Sequence, residues 1–229
     1  MGMRQFLHYF WNIACMVVAF FAYSFLQSFY FYPQRIKLRL HLNTWEQAVL
    51  TALITVIILF LVFWLYKRQL AETNDWGFNR RPHWDGTRLI IAVIGVLLIL
   101  LLNFVLSFFI VAGTGKTTSA NQQALNQIAM QDNYMFKLMV AIIAPFCEET
   151  IFRGMFFNTF FTKNTKANKW LGIIVSGFLF AYLHDRAFSP YILVYWSMGC
   201  VLGWVYMSTK DLRYSMLTHM IYNSLGMIL

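Results

Sequence analysis

The 229-residue sequence predicts an all-α fold, a polytopic bundle of transmembrane helices with about seven spans. Two observations carry that expectation. The chain is 59% hydrophobic and only 12% charged, whereas a soluble domain carries roughly 25% charged residues. Its apolar residues also gather in runs of about 20, the length a helix rising ~1.5 Å per residue needs to cross ~30 Å of hydrocarbon. Connections are short and no internal repeat is visible, so residues 1–229 read as one integral-membrane domain with the lipid bilayer as its surroundings.

The first run, residues 6–32, follows Arg4 but exceeds the roughly 7–15 apolar residues of a signal peptide and lacks a small-residue cleavage site, so it reads as a retained helix. Beyond it Arg35, Lys37, Arg39 and His41 alternate with Ile36, Leu38, Leu40 and Leu42. That period of two predicts an extended segment at the headgroup boundary; the sharper alternative is a basic edge that pairs with a peptide. The second and third spans cover 46–66 and 88–112. After the third, Gly113-Thr114-Gly115-Lys116-Thr117 imitates the end of a phosphate-binding loop. The full pattern needs glycine where Ile110 stands, and a preceding strand, so the stretch reads as a loop running into the Gln- and Asn-rich residues 118–133. The remaining spans cover 134–161, 170–186, 189–208 and 213–229. Small residues four apart at Gly172/Ser176, Gly177/Ala181 and Gly199/Gly203 predict close packing of the fifth span on the sixth.

The net charge of +9 does not indicate a nucleic-acid partner, because the 18 Lys and Arg residues sit mostly in the connections, where they meet anionic headgroups and set orientation. With the N-terminus inside, the cytoplasmic ends collect Arg4, Lys67, Arg68, Arg80, Arg81, Arg88, Lys163, Lys166, Lys169, Lys210 and Arg213; the outside keeps Arg35, Lys37, Arg39, Lys116 and Arg186. Eleven against five predicts a cytoplasmic N-terminus in a multi-pass protein of the cell membrane. Cys15, Cys147 and Cys200 lie far apart inside apolar runs and read as small core residues.

The chemistry is concentrated in residues 134–229. The fourth run contains Pro145, Glu148, Glu149 and Arg153, and each charge at a helix centre costs roughly 2.5–3.5 kcal/mol on insertion scales. Glu149 and Arg153 are four apart and can pair, Glu148 is turned about 100° away, and Pro145 predicts a kink just before them. The fifth span ends on Phe180 and His184, and the seventh contains His219 and Asn223 on one face. Each cluster alone has a bland reading, as a packing ion pair, an interfacial histidine or interhelical hydrogen-bonding glue. Three in three helices are expected to meet in the bundle interior. A buried carboxylate and a histidine can activate water, and an amide or imidazole can hold an oxyanion. Ser176 and Cys147 have no local histidine partner, so a water-activating route is preferred over a covalent one. Zinc is a possible alternative through Glu148, Glu149, His184 and His219, but no His-x-x-x-His or Cys-x-x-Cys spacing occurs.

Glu148-Glu149-x-x-x-Arg153, Phe180-x-x-x-His184 and His219-x-x-x-Asn223, in that order, resemble the three motifs of the CAAX-protease and bacteriocin-processing (Abi-type) family; Trp76-Gly77-Phe78-Asn79-Arg80-Arg81 resembles a short basic loop that many members carry. The resemblance implies an intramembrane endopeptidase acting on a peptide or membrane-anchored protein. Glu148 would be its general base with His184, His219 and Asn223 its oxyanion site, and Glu149 and Arg153 its support. A metal-free mechanism is expected, with no cofactor. The family also implies maturation of a bacteriocin or signalling peptide, or self-immunity. A non-catalytic immunity or sensor-binding protein and a small proton-coupled transporter are the competing readings. By helix length alone, Glu148 and His219 fall at similar depth, and His184 lies nearer the far side.

Overall fold

The computed structural model describes residues 3–80, 82–129 and 134–228, so Arg81 of the expected basic loop lies outside the described residues. Every described element is a helix and no strand occurs among the described residues. We number them α1 (Met3–Phe31), α2 (Pro33–Arg39), α3 (Thr44–Glu72), α4 (Gly86–Thr114), α5 (Ala120–Ala129), α6 (134–160), α7 (Lys166–His184), α8 (Ile192–Thr209) and α9 (Leu212–Ile228).

Local chemistry sets the ends. Asn43 and Glu46 form a reciprocal capping box at the start of α3, the Asp85 carboxylate accepts from the Arg88 amide at the start of α4, and Thr165 does the same for Asn168 on α7. Gly115 closes α4 in the left-handed conformation, at φ 69°.

Helices stand at all seven predicted positions. Among the described residues four are long and apolar enough to cross a membrane: Phe6–Phe31, Thr44–Glu72, Gly86–Thr114 and Ile192–Thr209. α6 and α7 carry charges that lower their hydropathy, and α9 has only 17 residues, so the count of seven rests on the sequence pattern. Phe60 on α3 and Phe104 on α4 are 71% and 73% exposed, and only 22–33% of the spanning windows of α1, α3 and α4 is buried. Such wide apolar faces suit lipid.

Two expectations are corrected. Residues 33–39 form a helix rather than an extended segment. Pro33 occupies its first turn, where the missing N–H costs nothing; this local start prevails over an alternation only eight residues long. Residues 120–129, expected in a loop, form α5, whose Gln122 amide is hydrogen-bonded by the Ser119 hydroxyl before it.

α6 is the hub, touched by α1, α3, α7 and α9, while α4 packs on α8 and α9. The close packing of the fifth and sixth spans is present: a Cβ on Gly199 would meet the Gly177 Cα at 2.7 Å, so α7 and α8 touch backbone to backbone there. The loop between α3 and α4 plugs one end of the bundle. The Trp76 indole donates to the Phe161 carbonyl at 2.6 Å, Phe78 stacks on Tyr206 at 4.3 Å, and the Asn79 amide donates to the Lys210 carbonyl at 2.8 Å. The Lys210 ammonium lies 4.3 Å over Trp76, and burial lowers its pKa to about 8.

Candidate active site

The site begins with a fault in α6. Two π-helical stretches, Met139–Ile143 and Thr150–Met155, flank the short α-helical turn Ala144–Glu149 that carries both glutamates. In the first, the Ala144 amide bonds the Met139 carbonyl. The next bond of that pattern would join residue 145 to the Val140 carbonyl, and Pro145 has no N–H. The Val140 oxygen instead accepts from Asn223 Nδ2 at 2.9 Å. The break expected at Pro145 therefore takes the form of a π stretch whose spare carbonyl is used by α9. In the second stretch the Phe152 carbonyl accepts from Ser176 Oγ on α7 at 2.5 Å.

Glu149 and Arg153 are both fully buried and pair as expected, with Arg153 Nε 3.2 Å from Glu149 Oε2. The guanidinium also donates to the Gly199 carbonyl at 3.0 Å and sits 4.9 Å over the Phe180 ring. These contacts bind α6, α7 and α8 around one buried cation. The other Glu149 oxygen lies 3.0 Å from His219 Nδ1. A carboxylate accepts, so the imidazole carries its proton on Nδ1, and Nε2 is left facing Glu148 Oε2 at 3.8 Å.

Glu148 is turned away from Glu149, toward the cavity. His184 Nδ1 lies 2.8 Å from the Phe180 carbonyl, which fixes its proton there and leaves Nε2 as an acceptor. The His184 ring lies between Phe180, at 4.3 Å, and Tyr195, at 5.1 Å. Glu148, His184, His219 and Asn223 all line one cavity of about 560 Å³. α7 runs in register with α6. Ser176 lies against Phe152 and Phe180 against Arg153, so His184 is one turn beyond and stands on the cavity wall.

Sequence reasoning missed several wall residues. Tyr23 on α1 donates to Glu148 Oε1 at 2.5 Å, and Gln27 donates to the Tyr23 hydroxyl at 2.9 Å. Asn103 on α4 hydrogen-bonds the Tyr222 hydroxyl, and Ser119 beside α5 bonds the Tyr195 hydroxyl at 2.8 Å. The usable signal was a polar group recurring inside an apolar run. In chemical terms the cavity offers a carboxylate, two imidazoles whose Nε2 atoms are uncommitted, and the second N–H of an amide. Among the described residues no three His, Cys, Asp or Glu side chains group so that they could hold a metal ion. Both Glu149 oxygens are already engaged by Arg153 and His219.

The model of the Type II CAAX prenyl endopeptidase Rce1-like family matches residues 131–225. Membrane-embedded CAAX protease MroQ of Staphylococcus aureus is 32% identical over 60% of this chain and 56% of its own length, so the chain spans little more than half of that relative. UPF0177 protein YvdC of Lactococcus lactis is 25% identical over 78% of this chain and 67% of the relative. UPF0177 protein YaiH of the same organism is 34% identical over 52% of this chain and 45% of the relative. No solved structure matches the chain.

Proposed function

We propose that this protein, whose residues 131–225 match the Type II CAAX prenyl endopeptidase Rce1-like family, is an intramembrane endopeptidase hydrolysing a peptide or membrane-anchored protein with water activated by Glu148. The observation that carries the reading is the buried Glu148 carboxylate on a cavity wall shared with His184, His219 and Asn223. In the reaction Glu148 Oε2 takes a proton from water, with the His184 Nε2 lone pair as a second acceptor, and the water oxygen attacks the scissile carbonyl. Relayed from Glu148 Oε2 to His219 Nε2, 3.8 Å away, that proton makes the imidazole a donor, and His219 and the free Asn223 N–H together hold the oxyanion that forms. The proton then passes to the departing amine nitrogen as the C–N bond breaks.

We place the protein in the cell membrane with a cytoplasmic N-terminus, on the distribution of its basic residues. Maturation of a secreted or signalling peptide, or bacteriocin self-immunity, is the physiological role the family suggests. The metal-free route is favoured by the occupancy of Glu149 and by Asn223, since an amide is a good donor and a poor zinc ligand.

The test uses purified protein in lipid nanodiscs and fluorogenic apolar peptides. Glu148→Gln keeps the shape and removes the base, so turnover falls by about 10³-fold or more with an unchanged thermal midpoint. Full turnover by this variant overturns the assignment. Loss of cleavage with an intact cellular phenotype would instead favour a binding protein. Activity is expected to survive exhaustive chelation. Stoichiometric zinc whose removal abolishes turnover, and whose return restores it, would overturn the metal-free route.

A further inference from the structure

Tyr23 lies on α1, outside the region of family likeness, yet its hydroxyl meets Glu148 Oε1 at 2.5 Å from 125 positions away in the chain. Both residues are buried, at 4% and 7% exposure. A phenol in an apolar helix has a hydroxyl to satisfy, and the direction of this bond is fixed by the neighbour on its other side. Gln27 Nε2 approaches the phenol oxygen at 2.9 Å. An amide nitrogen only donates, so the oxygen accepts from Gln27 and commits its own proton to the carboxylate.

The two oxygens of Glu148 are thereby made unlike. Oε1 is held by Tyr23, and Oε2 faces His219 Nε2. We propose that Tyr23 is a positioning residue for the catalytic base: it anchors Glu148 through Oε1, so that Oε2 is the oxygen that takes the proton from water. Gln27 in turn orients Tyr23. The proposal rests on Glu148 acting as the base, and it gives α1 a part in a site whose proposed reacting groups lie on α6, α7 and α9. A bond that merely stapled α1 to α6 could fall anywhere along their contact, which apolar residues such as Leu26 and Ala19 already fill. This one falls on the cavity-facing carboxylate.

The test compares wild type with Tyr23→Phe, Gln27→Leu, Glu148→Gln and the Tyr23→Phe/Glu148→Gln double variant in nanodiscs. Tyr23→Phe keeps the ring and is expected to lower kcat by about 10–100-fold, the scale of losing a hydrogen bond to a charged group, with KM within about twofold of wild type. Gln27→Leu moves kcat the same way by a few-fold, as an indirect effect; it stands in should Tyr23→Phe fold poorly. Infrared difference spectra supply a readout independent of turnover. Tyr23→Phe shifts a carboxylate stretching band, and the shift vanishes in the Glu148→Gln background. An unchanged kcat, a rise in KM alone, or an unmoved carboxylate band overturns the proposal. Full turnover by Glu148→Gln sinks the base reading and this one together, whereas an inactive Glu148→Gln beside a fully active Tyr23→Phe sinks only the role of Tyr23.

Discussion

Across its 29 residues α4 bears no charge beyond Arg88, stays α-helical throughout, and turns Phe104, Phe108 and Phe109 outward at 63–73% exposure. Over a similar length α6 carries Lys137, two carboxylates and a guanidinium, changes to π-helical bonding twice, and buries every residue from 147 to 159. Lipid asks a helix only to satisfy its own backbone and to present apolar side chains. Chemistry asks for charges, spare carbonyls and a cavity. Each of these is tolerated in α6 because a neighbouring helix supplies the missing partner: His219 and Asn223 from α9, Ser176 from α7, Gly199 from α8 and Tyr23 from α1.

The contrast can be broken at graded cost. The largest expected effect is Glu148→Gln, which removes turnover without unfolding α6. Arg153→Ala comes next and behaves differently, since it leaves Glu149 buried without its cation. Breaking a buried pair costs about 3–5 kcal/mol, so its thermal midpoint in detergent falls together with its activity. A normal midpoint would mean that the pair contributes nothing to holding α6, α7 and α8 together. Asn223→Ala is expected to lower kcat by about 10²–10³-fold, as loss of an oxyanion donor does elsewhere, with KM little changed. A change confined to KM would remove Asn223 from the oxyanion site. The smallest effects compare backbone contacts. Gly199→Ala places a methyl against Gly177 on α7 and costs about 1–3 kcal/mol by overpacking. Gly113→Ala on α4 has nothing within 4 Å to meet and should stabilise by about 0.5–1 kcal/mol through helix propensity. Equal denaturation midpoints for those two glycine variants would erase the distinction between a glycine at a helix contact and one in open space.

The helical class and the three motif clusters were legible because lipid makes polar residues conspicuous: a glutamate in an apolar run has few bland explanations. The convergence of Glu148, His184 and His219 followed from that same cost. What was not legible depended on pairing across the bundle. Tyr23 looks in sequence like any aromatic of a membrane helix, and only the register of α1 on α6 gives its hydroxyl a carboxylate. The π stretches leave no periodic mark, since they are one extra residue in a turn. Residues 35–42 misled because a short alternation is compatible with both a strand and a helix start, and Pro33 decided between them. α5 was hidden by its amide-rich composition, which resembles a loop.

The imino acid at position 145 also has a consequence for how this site could drift. Asn223 reaches the Val140 oxygen because no amide hydrogen from residue 145 claims it first. Any other residue at 145 would bring a hydrogen of its own to the π turn and compete with the side chain of α9 for one acceptor. Positions 145 and 223, which are distant in sequence, are thus joined as rivals for one oxygen. A change at either is felt first as a vacancy or a surplus at the other, before any reacting atom is involved.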